Sequence, residues 1–397
     1  MFKRILLCVL TLSLLLPCLG AAEEAAQGVM FVRAGGSFGM ALAQDGTIFG
    51  WGDNGSGQLG NGNNKRVYMP KPAAVGIDGK HVVDIQCGNV STLFLMDDGT
   101  VYTCGRNNYG QQGVKGIKEY VFTPIQIPSL SGVVQIACGF GQCLARTADG
   151  QVYAWGRNSN GQIGDGTKKH AKEPILLPLT DIVDIQCGGK FCMAVAEDGA
   201  VYGWGDNEYG QLLDASRKKN VLTPTRLSIS GLYTAVACGG DVGYGIDEDG
   251  TLWAWGRNDY YQLGTKEAGK QTSTPVRVAL PEGTQIAQVY AYNSHAAAIT
   301  TDGALWQWGG VFHGQVGNGK RPWRDVPTVA CPDSGVAGTA VGSLQSYLLL
   351  EDGTLYGCGC NEYGQTGAYR RMRYYVDRWM FTGLNLTDAS WADPHND

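Results

Sequence analysis

Apolar and polar positions change places along this chain in short runs. VVDIQC (82–87), STLFLM (91–96) and TVYTC (100–104) are stretches of five or six residues rich in β-branched and apolar side chains, each closed by turn residues or a polar loop. Runs this short, with no 3.6-residue period, predict strands. Asp98-Gly99, between the second and third runs, predicts a tight hairpin turn because glycine tolerates a positive φ. A polar loop follows, then TPIQIPSL from Thr123, whose prolines suit a fourth strand at a sheet edge, where a missing N–H does no harm. The unit reads as a four-stranded antiparallel meander.

The unit recurs. WGDNGSGQLG from Trp51 returns as CGRNNYGQQG from Cys104, WGRNSNGQIG from Trp155, WGDNEYGQLL from Trp204, WGRNDYYQLG from Trp255, WGGVFHGQVG from Trp308 and CGCNEYGQTG from Cys358. An Asp-Gly step precedes each, at Asp45, Asp98, Asp149, Asp198, Asp249, Asp302 and Asp352, with intervals of 53, 51, 49, 51, 53 and 50 residues. A four-stranded sheet cannot bury both faces alone, so the copies must pack face to face, and seven of them arranged radially make a β-propeller. The fold class is all-β, a seven-bladed β-propeller of four-stranded antiparallel blades, with the two chain ends close together. The Trp of each WG is expected between blades, and Cys104 and Cys358 mark two joints packed differently. Which strand completes the closing blade is left open.

Repetition also disposes of several motifs. GSGQLG (Gly55–Gly60) fits the GxGxxG phosphate loop, but a dinucleotide loop occurs once and opens a helix, whereas this phrase recurs seven times with no apolar helical period after it. GGSFG (Gly35–Gly39) fits the GxSxG nucleophile elbow around Ser37, yet it occupies the first hairpin turn of its repeat. GTKEAGKQ from Gly264 carries Gln271 where a P-loop needs Ser or Thr. His81, His170, His295, His313 and His395 share no ligand spacing and read as turn or surface residues. The paired acids at the turns have no cleft to act in. We expect no enzyme, no catalytic residue, no metal and no cofactor.

Composition adds a compartment. Residues 1–22 combine Lys3 and Arg4, an apolar stretch to Leu16 and small residues, the pattern of a secretory signal peptide cleaved at about 20–26. Lipidation at Cys18 stays open, although Pro17 fits it poorly. No later run reaches the ~18 apolar residues of a membrane helix. The expected organisation is a leader (1–22), a propeller (27–383) and a tail (384–397), in a secreted or extracytoplasmic, monomeric protein. In an oxidising setting its cysteines gain meaning. Cys87, Cys138, Cys187 and Cys238 are equivalent positions before a Gly, read as small buried side chains, while Cys138/Cys143 and Cys187/Cys192 should face each other across hairpins, with bridging left open.

The net charge of −5 conceals a sorting by sign. In a meander the Asp-Gly turns share one face and the loops between third and fourth strands share the other. The turns carry twelve acids and no Lys or Arg; the opposite loops hold 19 of the 31 basic residues against seven acids. Aromatic residues gather on the basic side. Tyr109, Tyr209, Tyr260 and Tyr363 hold equivalent NxYG or NxYY positions and are expected to pack within their own loops. The expected partner-binding set is Arg66, Tyr68, Tyr120, Lys169, Lys218, Arg321, Trp323, Arg371, Tyr374 and Tyr375, since Tyr, Trp and Arg dominate interface hot spots and a one-signed face steers an oppositely charged partner.

The repeated phrase, with WG or CG, Gln and the Asp-Gly turn in all seven units from about Val29 to Phe381, resembles the regulator of chromosome condensation repeat family. In that family a His follows Gxx; only His295 stands there, the other positions holding Phe38, Ser91, Gln142, Phe191, Val242 and Gln345. The resemblance implies a binding scaffold, because similar propellers serve as nucleotide exchange factors, chromatin binders and secreted inhibitors. The leader contradicts the intracellular roles, so no nucleic acid is expected. The partner expected is a protein, acidic in character; the alternatives are an anionic cell-wall polymer or glycan and, behind Ser37 alone, a hydrolase.

Overall fold

The computed structural model describes residues 30–74, 76–77, 81–213, 219–319, 324–331, 335–368, 374–387 and 389–391. The leader at 1–22 lies outside them. Seven antiparallel sheets follow one another, each built of four consecutive strands paired in chain order. Blade one is Phe31–Ala34, Phe38–Leu42, Ile48–Gly52 and Val67–Pro72; blade two is Val82–Cys87, Ser91–Met96, Val101–Arg106 and Tyr120–Gln126. Among the described residues no blade is completed by a strand from the other end of the chain. Blade seven adds only a two-residue fifth strand, Ser390–Trp391. Its fourth strand, Tyr375–Asn385, runs through the boundary expected at 383, and Leu384 and Leu386 are buried in one cluster with Val32, Phe49 and Trp51. Residues 384–387 are thus propeller rather than tail.

The ring closes by contact. Gln345 Nε2 of blade seven donates to Gly35 O of blade one at 3.1 Å, and Gln44 N donates to Leu386 O at 2.9 Å. Thr387 Oγ1 lies 3.5 Å from Met30 Sδ, which brings the two ends of the described chain together. Around the centre, the hairpins joining first and second strands link successive blades: Gly36 N to Gly88 O, Asn89 N to Gly139 O, Gly189 N to Gly239 O, Gly240 N to Asn293 O and Ser343 N to Gly35 O.

Two local rules explain the repeat. The fourth strands start earlier than their proline suggests, at Tyr120 rather than Thr123 in blade two. The register there passes from Gly105↔Val121 to Thr103↔Ile125, so Pro124 sits inside a bulge where its missing N–H is not needed. Pro70, Pro174, Pro224, Pro275 and Pro327 fall in the same gap of five other blades. The second rule concerns the Gly of WG. In all seven blades it has φ between +97° and +109°, and a Cβ at Gly105 would meet Val90 O at 2.5 Å. Only glycine satisfies both demands.

The core is a set of joints. Trp51, Trp155, Trp204, Trp255 and Trp308 are fully buried. Each indole N–H donates to the main-chain oxygen of the preceding blade's Gln: Trp155 to Gln111 at 2.9 Å, Trp204 to Gln162 at 3.0 Å, Trp255 to Gln211 at 2.9 Å, Trp308 to Gln262 at 2.8 Å. Cys104 and Cys358 keep the bond while losing the volume. Their thiols reach Gln58 O at 3.5 Å and Gln315 O at 3.0 Å. At the first of these joints Thr92 Oγ1 donates to the same Gln58 O at 2.7 Å, and Phe38, Met40 and Phe94 fill the cluster.

Candidate partner-binding face

The loops after the third strands are built from their own polar groups. The Asn of each NxxGQ phrase accepts from the N–H five residues on, as Asn54 Oδ1 does from Leu59 N at 3.0 Å and Asn158 Oδ1 from Ile163 N at 2.9 Å. The Gln Oε1 accepts from the N–H two residues back, as Gln58 does from Ser56 N and Gln211 from Tyr209 N, both at 2.9 Å. Atoms that would meet a phosphate are already committed to the loop itself. The glycine phrase is structural.

Held this way, the NxxG turn leans onto the next blade. A Cβ on Gly364 of blade seven would meet Tyr68 Cα of blade one at 2.6 Å, and one on Gly57 would meet the Phe122 ring of blade two at 2.4 Å. The tyrosines expected to pack within their own loops therefore pack across joints. Arg66 lies over the Tyr363 ring at 4.3 Å, Arg157 over Tyr109 at 5.1 Å and Arg257 over Tyr209 at 4.6 Å. Tyr260 meets Phe312 edge-on, with ring centres 5.3 Å apart. Two of these arginines, Arg157 and Arg257, directly follow WG; the sequence offered that regularity, but Tyr109 and Tyr209, the rings beneath them, belong to the preceding repeat, while Arg257 also pairs with Asp241 and Asp259 of its own blade.

At the joint of blades seven and one four of the ten expected residues, Arg66, Tyr68, Tyr374 and Tyr375, are placed. Arg66, just before the fourth strand of blade one, sits on Tyr363 with its Nε 3.9 Å from Asp53; Tyr68, two residues on and inside that strand, is 55% exposed. Tyr374 returns from the blade-seven loop, its carbonyl accepting from Asn361 N at 2.8 Å and its side chain 76% exposed, with exposed Tyr375 next to it. Tyr120 stands one joint further on, stacked on Phe122. Tyr68, Tyr120 and Tyr375 belong to fourth strands rather than loops. Lys169 is exposed on blade three, away from this group, where its loop is pinned by Asn158 Nδ2 to Lys169 O at 3.0 Å. Lys218, Arg321, Trp323 and Arg371 lie outside the described residues.

The opposite face is acidic and self-capped. Asp45 Oδ1 accepts from Thr47 N, Asp98 Oδ1 from Thr100 N and Asp352 Oδ1 from Thr354 N, all at 2.8 or 2.9 Å, so these acids hold their turns. Asp181 and Glu282, on connectors to the next blade, join this side.

No group of three or more His, Cys, Asp or Glu is placed to hold a metal ion among the described residues. Ser37 lies in the turn between the first two strands, as expected, and Gly264 is followed by a strand beginning at Gln271, not by a helix. His295 corrects the reading of the histidines as turn or surface residues. It is buried between blades six and seven, its Nε2 3.2 Å from Ser346 Oγ, and burial lowers its pKa to about 4. It starts the second strand of blade six and reaches across to blade seven. Gln142 and Gln345 do the same work at the equivalent position, donating to Gly188 O and Gly35 O.

Against known families, an RCC1-like domain model matches residues 76–379, and models of the regulator of chromosome condensation (RCC1) repeat match residues 31–58 and 45–95. The chain belongs to the RCC1-like domain family. RCC1-like relatives include the ultraviolet-B receptor UVR8 of Arabidopsis thaliana, 32% identical over 345 residues that cover 85% of this chain and 67% of UVR8. The E3 ubiquitin-protein ligase HERC2 of Mus musculus is 31% identical over 319 residues, 78% of this chain but 6% of that protein. Among solved structures, human WBSCR16 superposes with a TM-score of 0.72 at 27% identity, covering 80% of this chain and 85% of WBSCR16. Prp20p of Saccharomyces cerevisiae gives 0.76 at 24% identity, with 85% of each chain covered, a likeness of fold.

Proposed function

We propose that this RCC1-like propeller is an exported, non-enzymatic binding scaffold that takes an acidic protein partner on its basic loop face, centred on the joint of blades seven and one. The observation that carries this reading is the grouping of Arg66, Tyr68, Tyr374 and Tyr375 from two distant stretches of chain, with aromatic rings left exposed beside a guanidinium already positioned on Tyr363. Export is supported by residues 1–22, and action without catalysis by loops whose polar atoms serve the fold. No helix among the described residues is long and apolar enough to cross a membrane.

The test is capture of extracellular proteins on the immobilised full chain. A Tyr68→Ala/Tyr374→Ala/Tyr375→Ala variant should lose the captured protein. A Glu197→Lys/Glu248→Lys/Glu351→Lys variant, altered on the exposed acidic turns, should retain it. Equal retention by both would overturn the assignment of the face. A second reading, an anionic glycan, is favoured by the same exposed rings beside Arg66, which suit stacking against a sugar; salt-sensitive binding of a purified polyanion with no protein captured would select it.

A further inference from the structure

The first strands of the seven blades surround a central cavity of about 280 Å³. Cys87, Cys138, Cys187 and Cys238 end the first strands of four consecutive blades and all line it. What stands across the hairpin from each differs. Thr92 faces Cys87 and Gly243 faces Cys238, but Cys143 faces Cys138 and Cys192 faces Cys187. The sulfurs of the two facing pairs are 3.3 and 3.7 Å apart. Within each pair the cysteines are unlike: Cys138 and Cys187 are half-buried on the cavity wall, while Cys143 and Cys192 are fully buried behind them.

The backbone favours a bond here. Gly139 N donates to Gln142 O at 2.9 Å and Gly188 N to Phe191 O at 2.8 Å, which makes those the hydrogen-bonded positions and leaves each thiol pair at the adjacent non-hydrogen-bonded one. At such positions Cα atoms approach to about 4.5 Å, at the near end of the ~4.4–6.8 Å that a disulfide spans. The interior also tolerates the change. Cys143 Sγ points at Gln111 O and Cys192 Sγ at Gln162 O, at 3.7 and 3.4 Å, but those oxygens already accept from Trp155 and Trp204. Removing the thiol protons leaves no buried acceptor without a donor.

We propose that Cys138/Cys143 and Cys187/Cys192 are two dithiol modification sites, closed to intra-hairpin disulfides by a small-molecule disulfide that enters through the central cavity and reacts first at Cys138 and Cys187. The Cys138 thiolate attacks one sulfur of the disulfide RSSR; its S–S bond breaks and the leaving thiolate takes up the proton lost by Cys138, giving RSH and a mixed disulfide. Cys143, deprotonated in turn, attacks the Cys138 sulfur of that mixed disulfide and expels a second RSH. Two protein thiols are oxidised to one disulfide, and one RSSR is reduced to two RSH. Cys187 and Cys192 follow the same course.

The test uses the folded full chain, reduced, desalted and incubated with oxidised glutathione, then alkylated and mapped by mass spectrometry without reduction. The expected products are the peptides Cys138–Cys143 and Cys187–Cys192, each about 2 Da lighter than its dithiol, with Cys87 and Cys238 unbridged. The order of attack is read from single variants. Cys143→Ser should leave one glutathione on Cys138, whereas Cys138→Ser should leave Cys143 unmodified; Cys192→Ser and Cys187→Ser repeat the comparison independently in blade four. Glutathione on the buried member as readily as on the cavity-facing one, bridges between blades, or dithiols that persist while the denatured chain oxidises would each overturn the proposal.

Discussion

Trp51 Nε1 donates to the main-chain oxygen of Gln365 at 3.2 Å, across 314 residues of sequence, and so fastens blade one to blade seven. The bond is the ring-closing instance of the joint that Trp155, Trp204, Trp255 and Trp308 each make with the blade before it. It has an auxiliary: Tyr347 OH donates to the same oxygen and its ring meets Trp51 edge-on at 5.2 Å.

Truncating these indoles should open the joints. Trp155→Ala, Trp204→Ala and Trp255→Ala should each cost about 3–5 kcal/mol in urea unfolding, the range for a large aromatic removed from a core. Trp51→Phe should cost only about 1 kcal/mol, because Gln365 O keeps Tyr347 as a donor. Losses under about 1 kcal/mol at all three Ala positions would refute the joint as the core.

The glycine of WG is equally testable. Gly205 has φ +104°, and a Cβ there would lie 2.5 Å from Lys190 O. Gly205→Ala should destabilise by about 1–3 kcal/mol through backbone strain, while Gly46→Ala, at a turn with φ +86° and open space around it, should lose less. The difference between their urea midpoints checks the clash, since both carry a positive φ.

His295 makes stability depend on pH. Its folded pKa of about 4 lies below the ordinary 6.5, so between those values the unfolded chain binds a proton that the buried ring refuses. Stability from this group is complete above pH 6.5 and is lost as pH falls toward 4, by up to about 3 kcal/mol at ~1.4 kcal/mol per pH unit. His295→Gln, the residue found at equivalent positions 142 and 345, should abolish that component. The measurement is unfolding free energy at pH 7 against pH 4.5; an identical drop in both proteins would rule the histidine out.

Charge on the basic face should act at a distance. Reversal of Arg66, Lys169, Lys218, Arg321 and Arg371 to Glu should slow association with the acidic partner, mainly through the on-rate, and flatten its salt dependence. Folding should survive, although Arg66→Glu should cost about 0.5–1 kcal/mol because its guanidinium lies on Tyr363. Stopped-flow association of the captured partner reads the effect. A rate unchanged by the fivefold reversal would leave the loop charges as solubilising only.

The sequence by itself determined the periodic part of this protein. Asp-Gly turns, alternating strands and the WG…GQ phrase are local instructions repeated seven times, so blade number, strand order, the buried tryptophans and the facing of Cys138 with Cys143 could all be read from spacing. Tertiary structure decided what depends on a neighbour. The chain does not announce that Gln serves through its backbone oxygen, that Cys104 and Cys358 inherit the indole's bond, or that Tyr363 waits under Arg66, because each partner lies one blade away and, at the closing joint, at the far end of the sequence. The proline of the fourth strand shows the same limit at short range: it marked an edge strand, but only pairing with the third strand revealed a bulge that lets the strand begin before it. Local propensity fixes each blade, while the joints, and with them the candidate face, arise where separate repeats are pressed together by the burial of surfaces that no single repeat can cover.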